Sequence, residues 1–236
     1  FKIKTPGSYQ GFFVSQTNYN TNMSAEKRKV IINADDIGKT SYANEKIIES
    51  IENGVVTSTS LMVNRHAVLE AVEFAVNRED ISVGLHLDLT HDGPLRWAKI
   101  LEILTWSEQK IHDEFKKQVD RFEDLMGCLP DHIDSHLHIH RLTRFWPVVL
   151  EFAKINHIPV RSVNAKLRLG ISGRLLTPKG FIGVLRLLPP GTHEIICHPG
   201  DIKRKQELEV LTSQEVKDFL DQQDDLDLIN WNQVEL

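Results

Sequence analysis

The chain has 236 residues, of which 41% are hydrophobic and 26% are charged, and its formal net charge at pH 7 is −5. This length suits one sizeable domain, and the hydrophobic share is ordinary for a soluble globular protein. No apolar run approaches the roughly 20 residues that cross a bilayer, so we expect no membrane span. Lys and Arg are interspersed with Asp and Glu, which argues against a nucleic-acid partner.

Two further features bear on location and on the extent of the domain. Cys128 and Cys197 are the only cysteines, too few for a disulfide scaffold, and a cytoplasmic location is the default expectation.

Residues 1–24 are polar with scattered aromatic side chains, and they lack the basic start and apolar centre of a signal peptide. We predict that they form a tail outside the fold, and that residues 25–236 form a single domain.

Short apolar runs alternate with helical patterns along most of the chain. The predicted strands, in chain order, are residues 30–32, 55–62, 81–86, 132–140, 158–161, 194–198 and 226–229. The predicted helices lie around residues 47–51, 68–76, 110–126, 145–156 and 180–188, and a last helix opens at a capping box over 212–215. The charged stretch 201–209 is predicted to be a solvated loop. Seven short strands alternating with helices predict a parallel sheet with outer helices, either an open doubly wound sheet or a barrel.

Several common catalytic signatures are absent from the sequence. Residues 170–173, Gly-Ile-Ser-Gly, have the wrong spacing for a phosphate-binding loop, and the chain has no Gly-x-Ser-x-Gly nucleophile elbow. Cys197 precedes His198, but neighbours on a strand point to opposite faces, so a nucleophilic Cys-His pair is not expected.

The most unusual stretch is residues 132–140, His-Ile-Asp-Ser-His-Leu-His-Ile-His, which holds four of the chain's 11 histidines. In an extended strand the histidines and the aspartate share one face, while the three apolar residues share the other. Imidazole is the commonest side-chain ligand for zinc-like metals, so this face predicts a metal site. The alternative is a solvated, merely histidine-rich strand end.

Other chemically capable residues also fall at or just after the carboxyl ends of predicted strands. This is the edge at which parallel α/β folds build their active sites, so we expect these side chains to converge. The residues are Asp35 and Asp36 after the first strand, His86 after the third, His136 in the fourth, Arg161 after the fifth and His198 after the sixth.

Each of these residues also has a purely structural interpretation. Adjacent aspartates before a helix often cap it or form a turn, but beside converging histidines one can bind a metal while the other acts as general base. A lone His86 or His198 is more often a buried, hydrogen-bonded core residue, although Asp88 lies on the same strand face as His86 and could orient it. Arg161 is either a surface charge or a donor fork for a carboxylate or polar substrate.

Five motifs, taken together and in order, resemble those of the YdjC-like carbohydrate deacetylase family. They are residues 33–38 (NADDIG), 57–60 (TSTS), 84–90 (GLHLDLT), 132–140 (HIDSHLHIH) and 197–200 (CHPG). The resemblance runs from about residue 29 to the end of the chain. It implies an α/β fold, a distorted (β/α) barrel similar to a TIM barrel, with about seven parallel strands and outer helices, akin to the polysaccharide deacetylases.

The resemblance also implies a reaction: the metal-dependent removal of an acetyl group from an N-acetylated sugar or oligosaccharide. The cofactor would be one divalent ion, Mg or Zn, and the partner a small N-acetylated carbohydrate; a homodimer is left open. The implied site consists of Asp36, His86 and His136 as metal ligands, Asp35 as general base, His198 as general acid, and Arg161, His138 and His140 in substrate contact or support.

Three alternatives stand beside this interpretation. Some relatives act on other N-acetylated compounds, such as glycosylated lipid precursors. A catalytically inactive carbohydrate-binding protein is conceivable because residues 90–110 and 162–192 look shorter than the family's usual substrate-covering loops, although Asp35 and His198 are both present. Two histidines and a carboxylate also occur in non-haem iron oxygenases, which the βα pattern and the paired aspartates disfavour. The family commonly has Phe where Ile37 stands, a small change in packing.

Overall fold

The computed structural model describes residues 27–90, 96–168 and 177–236. The predicted tail 1–24, the Gly-Ile-Ser-Gly segment and parts of the two shortened segments lie outside these ranges. The strands are β1 Arg28–Ile37, β2 Ser58–Leu61, β3 Ser82–Leu87, β4 Ile133–Ser135, β5 Lys166–Arg168, β6 Gly191–Cys197 and β7 Leu226–Leu228. The helices are α1 Ser41–Glu52, α2 Val68–Ala75, α3 Arg96–Ile103, α4 Glu108–Met126, α5 Trp146–Asn156, α6 Pro178–Arg186, α7 Lys205–Leu211 and α8 Gln214–Asp221.

The described strands form one parallel sheet in the order β4-β3-β2-β1-β6-β5, and β7 pairs with the start of β1. Beyond β4 the sheet continues through an isolated pairing between Ile133 and Val160, with Arg161 N–H donating to the Ile133 carbonyl at 3.0 Å. The prediction of a parallel α/β sheet with outer helices is therefore confirmed.

The two faces of β1 differ in polarity, and this difference positions the site. Val30, Ile32 and Ala34 pack into the main apolar core beneath the helices, while Asn33 and Asp35 lie on the inner face of the curled sheet. The inner face continues with buried polar side chains from neighbouring strands, namely Ser58, Ser60, Ser82, His132 and Asp134. Buried polar groups are costly unless they are hydrogen-bonded, so this inner face is a connected network that leads to the carboxyl edge.

Close packing beneath the site depends on Gly84 and Trp231. A Cβ atom on Gly84 would lie 2.3 Å from the His132 ring, so only glycine leaves room for this histidine on the inner face. The His132 imidazole also stacks on Trp231, with ring centroids 4.9 Å apart. His132 therefore packs within the inner face of the sheet, against Gly84 and Trp231.

Most predicted elements are present within a few residues of their expected ends, and Gly127 ends α4 in the left-handed conformation at φ 74°. Four local predictions are wrong. Residues 158–161 extend the sheet only through the isolated pairing of Val160 with Ile133, and the fifth strand is Lys166–Arg168. The charged stretch 201–209 contains a 3-10 turn, Ile202–Arg204, followed by α7. The helix predicted to open at Thr212 begins one residue later, with Ser213 at its N-cap and no side-chain capping bond.

The fourth error concerns the histidine-rich segment. The strand ends at Ser135, and the chain turns into a 3-10 segment, His136–Arg141, in which Leu137 and His138 have positive φ angles of 56° and 55°. The histidines after Ser135 therefore do not share one strand face. In the described part of the chain, no helix has the length and apolar character needed to cross a bilayer.

Candidate metal and catalytic site

Asp36, His86 and His136 meet at the carboxyl edge of the sheet. Asp36 Oδ1 lies 3.2 Å from His86 Nε2 and 3.3 Å from His136 Nδ1, and one donor atom from each of the three lies within 4.8 Å of the others. The pairing of β1 with β2 is irregular between Ala34 and Ile37, and Asp36 has φ 77°. The left-handed backbone at Asp36 directs the side chains of Asp35 and Asp36 to different partners. Aspartate tolerates this conformation better than most residues do.

The donor set fits a divalent metal. Asp36 Oδ1 and His86 Nε2 are buried, and neither has a hydrogen-bond partner among the described residues, which is costly unless a ligand satisfies them. Burial raises the pKa of Asp36, but the facing imidazoles of His136 and His86 and the nearby Lys39 outweigh it and hold the pKa well below its ordinary value. An ionised carboxylate and two imidazoles suit zinc-like ions and leave coordination positions open.

Asp134 orients His86 for this role. Its Oδ1 lies 2.6 Å from His86 Nδ1, which leaves Nε2 as the nitrogen that faces Asp36. The other oxygen, Oδ2, accepts from Ser60 at 2.7 Å and lies 2.6 Å from the Arg161 guanidinium. Asp88, which the sequence suggested for orienting His86, instead pairs with Arg65 at 2.6 Å.

Asp35 is held by a different set of partners. Arg161 binds both of its oxygens, at 2.7 and 3.0 Å, and Asn33 Nδ2 donates to Oδ1 at 2.8 Å. Burial raises the pKa of Asp35, but the Arg161 guanidinium outweighs this and keeps the pKa below its ordinary value. Asp35 is therefore an ionised carboxylate with a fixed orientation.

Arg161 is completely buried and is not a surface charge. Besides Asp35 and Asp134, it binds Glu194 Oε1 through Nε at 2.8 Å. Burial raises the pKa of Glu194 to about 7, although Arg161 acts in the opposite direction. One cation thus stands among three carboxylates, an arrangement in which one of the three is expected to hold a proton near neutral pH.

His198 follows β6 and reaches the same edge from the other side. Its Nε2 lies 3.7 Å from Asp35 Oδ2, and its side chain is 26% exposed. Its Nδ1 is 2.7 Å from an Arg204 nitrogen, and its backbone N–H donates to Glu207 at 2.5 Å. Burial lowers the pKa of His198, and nearby Asp35 and Asp36 only partly offset this effect.

The remaining histidines of the 132–140 segment occupy different surroundings from His136. His140 is fully buried, its Nδ1 lies 2.6 Å from Ser135 Oγ, and its ring packs at 6.1 Å from Trp146, so it supports the turn. Burial lowers the pKa of His140 to about 3. His138 lies beside it with ring centroids 6.2 Å apart, and burial lowers its pKa as well.

A cavity of about 460 Å³ opens beside Asp35, Asp36 and His198. Its remaining wall comes from the start of α1 and from the turn after β6, with Lys39, Thr40, Tyr42, Ala43, Gly200, Asp201 and Ile202. This volume lies within the roughly 300–1,000 Å³ typical of small-molecule sites.

Some important site residues were not singled out from the sequence. Among them, Asn33 binds Asp35, Ser60 binds Asp134, and Glu194 binds Arg161. The sequence placed Asp134 on the same strand face as the histidines but gave it no role. A usable signal exists for Glu194, a charged residue inside an apolar strand, and for the polar residues at alternate positions of β2. Which partner each one binds depends on contacts between distant strands.

This fold and site define a parallel α/β protein with a carboxylate-imidazole cluster of metal-binding type at the carboxyl edge of its sheet. The chain belongs to the family described as YdjC-like protein, whose model matches residues 29–222.

Two curated relatives share the name "Carbohydrate deacetylase". One, from Clostridium beijerinckii, is 31% identical over 87% of this chain and 100% of its own. The other, from Vibrio parahaemolyticus, is 30% identical over 82% of this chain and 92% of its own. A crystal structure from Enterococcus faecalis V583, titled as a "putative cellobiose-phosphate cleavage protein", is also similar. It matches with a TM-score of 0.75 and 26% identity over 87% of this chain and 98% of that one.

Proposed function

We propose that the protein is a metal-dependent hydrolase that removes an acetyl group from an N-acetylated sugar or oligosaccharide. The observation that carries the proposal is the placement of the Asp36, His86 and His136 cluster next to an arginine-held carboxylate, Asp35, at the wall of an open cavity. The relatives named carbohydrate deacetylase support the reaction class and the type of substrate.

Asp36, His86 and His136 would hold the metal. When bound, a divalent ion supplies a Lewis acid that polarises a carbonyl group and lowers the pKa of water toward neutrality. Mg and Zn both remain candidates; the two imidazoles favour Zn, while availability and geometry decide between them.

Asp35 is the proposed general base. Its carboxylate would accept a proton from the water that attacks the acetamide carbonyl. Arg161 keeps this carboxylate ionised, and Asn33 fixes its orientation. His198, which the sequence predicts as the general acid, has its Nε2 3.7 Å from Asp35 Oδ2 at the wall of the same cavity, where it would act on the amide group of the substrate.

The experiment measures acetate released from a panel of N-acetylated sugars, beginning with diacetylchitobiose, using chelator-stripped protein with and without added Zn or Mg. Restored release of acetate would support the proposal. Acetate release only from N-acetyl compounds that are not carbohydrates would refute the proposed substrate class but support the proposed deacetylation reaction. Tight sugar binding without acetate release, in any metal, would favour a carbohydrate-binding protein, and turnover that requires oxygen would favour an oxygenase.

A further inference from the structure

Arg204 and Glu207 form a support behind His198. One terminal nitrogen of Arg204 lies 2.7 Å from His198 Nδ1, while its Nε donates to Glu207 Oε1. The second oxygen of Glu207 accepts the backbone N–H of His198 at 2.5 Å. Glu207 is fully buried, and the three residues form a hydrogen-bonded unit that ties the turn after β6 to the start of α7.

The chemistry of the guanidinium group determines which nitrogen of His198 carries the proton. Arginine has five N–H donors, no acceptor and a pKa too high to lose a proton in a protein. His198 Nδ1 must therefore accept the hydrogen bond from Arg204. In a neutral imidazole the single proton then resides on Nε2, the nitrogen that lies 3.7 Å from Asp35 Oδ2.

We propose that Arg204 is a positioning residue that holds His198 as the neutral Nε2–H tautomer, so that His198 donates a hydrogen bond to the substrate amide without transferring a proton. A doubly protonated ring would place the Nδ1–H against an Arg204 N–H, and the hydrogen bond between them would be lost. The inference rests on the proposed function for the identity of the substrate, but the tautomer itself is a property of the protein alone.

The surrounding charges agree with this geometry. The charged groups that act on the ring are Asp35 and Asp36 from β1, His86 from β3 and Arg204 from the 3-10 turn, and Lys39 and Asp201 line the same cavity. Burial, Arg204 and His86 lower the pKa of His198, while the two carboxylates raise it, and the net shift of the pKa is downward.

This assignment changes the path of the proton during hydrolysis. Water adds its oxygen to the carbonyl carbon and gives one proton to Asp35. When the carbon-nitrogen bond breaks, the same proton passes from Asp35 to the departing nitrogen, so acetic acid and the free amine are formed. His198 keeps its Nε2 proton throughout, and the atoms balance without a second proton donor.

The test is a two-bond proton-nitrogen correlation spectrum of protein labelled with nitrogen-15 in histidine, without substrate. Loss of one signal set in His198→Gln identifies the residue. At pH 7 we expect the Nε2–H pattern, retained at pH 6, where a histidine with the ordinary pKa of about 6.5 is mostly charged. A doubly protonated ring at pH 6, or an Nδ1–H pattern at pH 7, would overturn the proposal.

Arg204→Met should release Nδ1, so that both tautomers appear and the ring becomes protonated at pH 6. Arg204→Lys keeps a cationic donor and should retain much of the Nε2–H pattern, whereas the exposed neighbour variant Lys203→Met should leave the spectrum unchanged. An Arg204→Met spectrum identical to that of the wild type would contradict the role of Arg204. Because Arg204→Met leaves Glu207 buried without its cation, the double variant Arg204→Met/Glu207→Gln provides the same comparison if the single variant does not fold.

Activity gives a second, separate readout. In Arg204→Met, an imidazolium would pair with Asp35, so kcat/KM at pH 6 should fall about fourfold relative to the wild type if the ring titrates at its ordinary 6.5. A wild-type loss of kcat/KM on raising the pH through the His198 titration would instead assign His198 as a general acid. Absence of any deacetylation would defeat the proposed function and leave the tautomer result standing.

Discussion

Arg161 binds both oxygens of Asp35, at 2.7 and 3.0 Å, in a site where neither side chain is more than 4% exposed. A bidentate pair of this kind fixes the plane of the carboxylate as well as its charge. The proposed base is therefore oriented before substrate arrives, and its position is coupled to Asp134 and Glu194 through the same guanidinium.

Replacing Asp35 with Asn should remove the base and preserve the shape of the side chain. We expect turnover to fall by about 10²- to 10⁴-fold, the usual value of a general base, while metal binding is retained because Asp36, His86 and His136 are untouched. Steady-state kinetics and metal titration check the two parts. Asp124→Asn, at an exposed position on α4, is the matched control. Full activity in Asp35→Asn would refute the assigned role.

Replacing Asp134 with Asn should lower the metal affinity of the site through His86, the ligand that Asp134 orients. Asp134 holds His86 Nδ1 at 2.6 Å, and loss of such a carboxylate partner typically costs about 10- to 100-fold in metal affinity. Calorimetric titration of chelator-stripped protein with Zn measures the change, again with Asp124→Asn as the control. An unaltered dissociation constant would show that His86 does not depend on Asp134.

Replacing Arg161 with Met should destabilise the fold, because it leaves three buried carboxylates without their cation. Removal of one partner from a buried ion pair costs about 3–5 kcal/mol in the free energy of unfolding. The carboxylates of the variant would have raised pKa values, so its stability should be greatest at low pH and fall as the pH rises. Urea denaturation at pH 5 and pH 8 tests this, with the exposed Arg141→Met as the control. Equal stability of Arg161→Met and the wild type would contradict the account of the network.

Glu194 should make the wild-type protein less stable as the pH rises. Its pKa is raised from 4.5 in the unfolded chain to about 7 in the folded protein, so between these values the folded state binds more protons than the unfolded state. Its stabilising contribution is complete below pH 4.5 and is lost as the pH rises through 7, with a slope of at most about 1.4 kcal/mol per pH unit. Glu194→Gln should lack this pH dependence, so the free energy of unfolding of the wild type, relative to that of the variant, should fall as the pH rises from 5 to 8. Parallel curves for both proteins from pH 5 to 8 would show that Glu194 does not titrate there.

The local parts of the fold were predictable, and the contacts between distant segments were not. Gly127 ends α4 as its sequence context suggests, because a helix end depends on neighbouring residues. The first strand was predicted to end at Ile32, but β1 continues to Ile37, so Asp35 and Asp36 lie within its carboxyl end rather than after it. The strand predicted through His140 was wrong because Ser135 Oγ accepts the His140 backbone N–H at 2.9 Å and closes a turn that alternation cannot reveal. Likewise, the pairing of Arg161 with Glu194 joins residues 33 positions apart, a contact that only the completed sheet creates.

The central claim is that Asp36, His86 and His136 hold a catalytic metal beside the Asp35 base. Its most direct test is acetate release from diacetylchitobiose and related N-acetylated sugars by chelator-stripped protein, before and after the addition of Zn or Mg. We predict no release from the stripped protein, release on adding the metal, and none from Asp36→Ala under either condition. Equal release with and without metal, or full activity in Asp36→Ala, would contradict the claim.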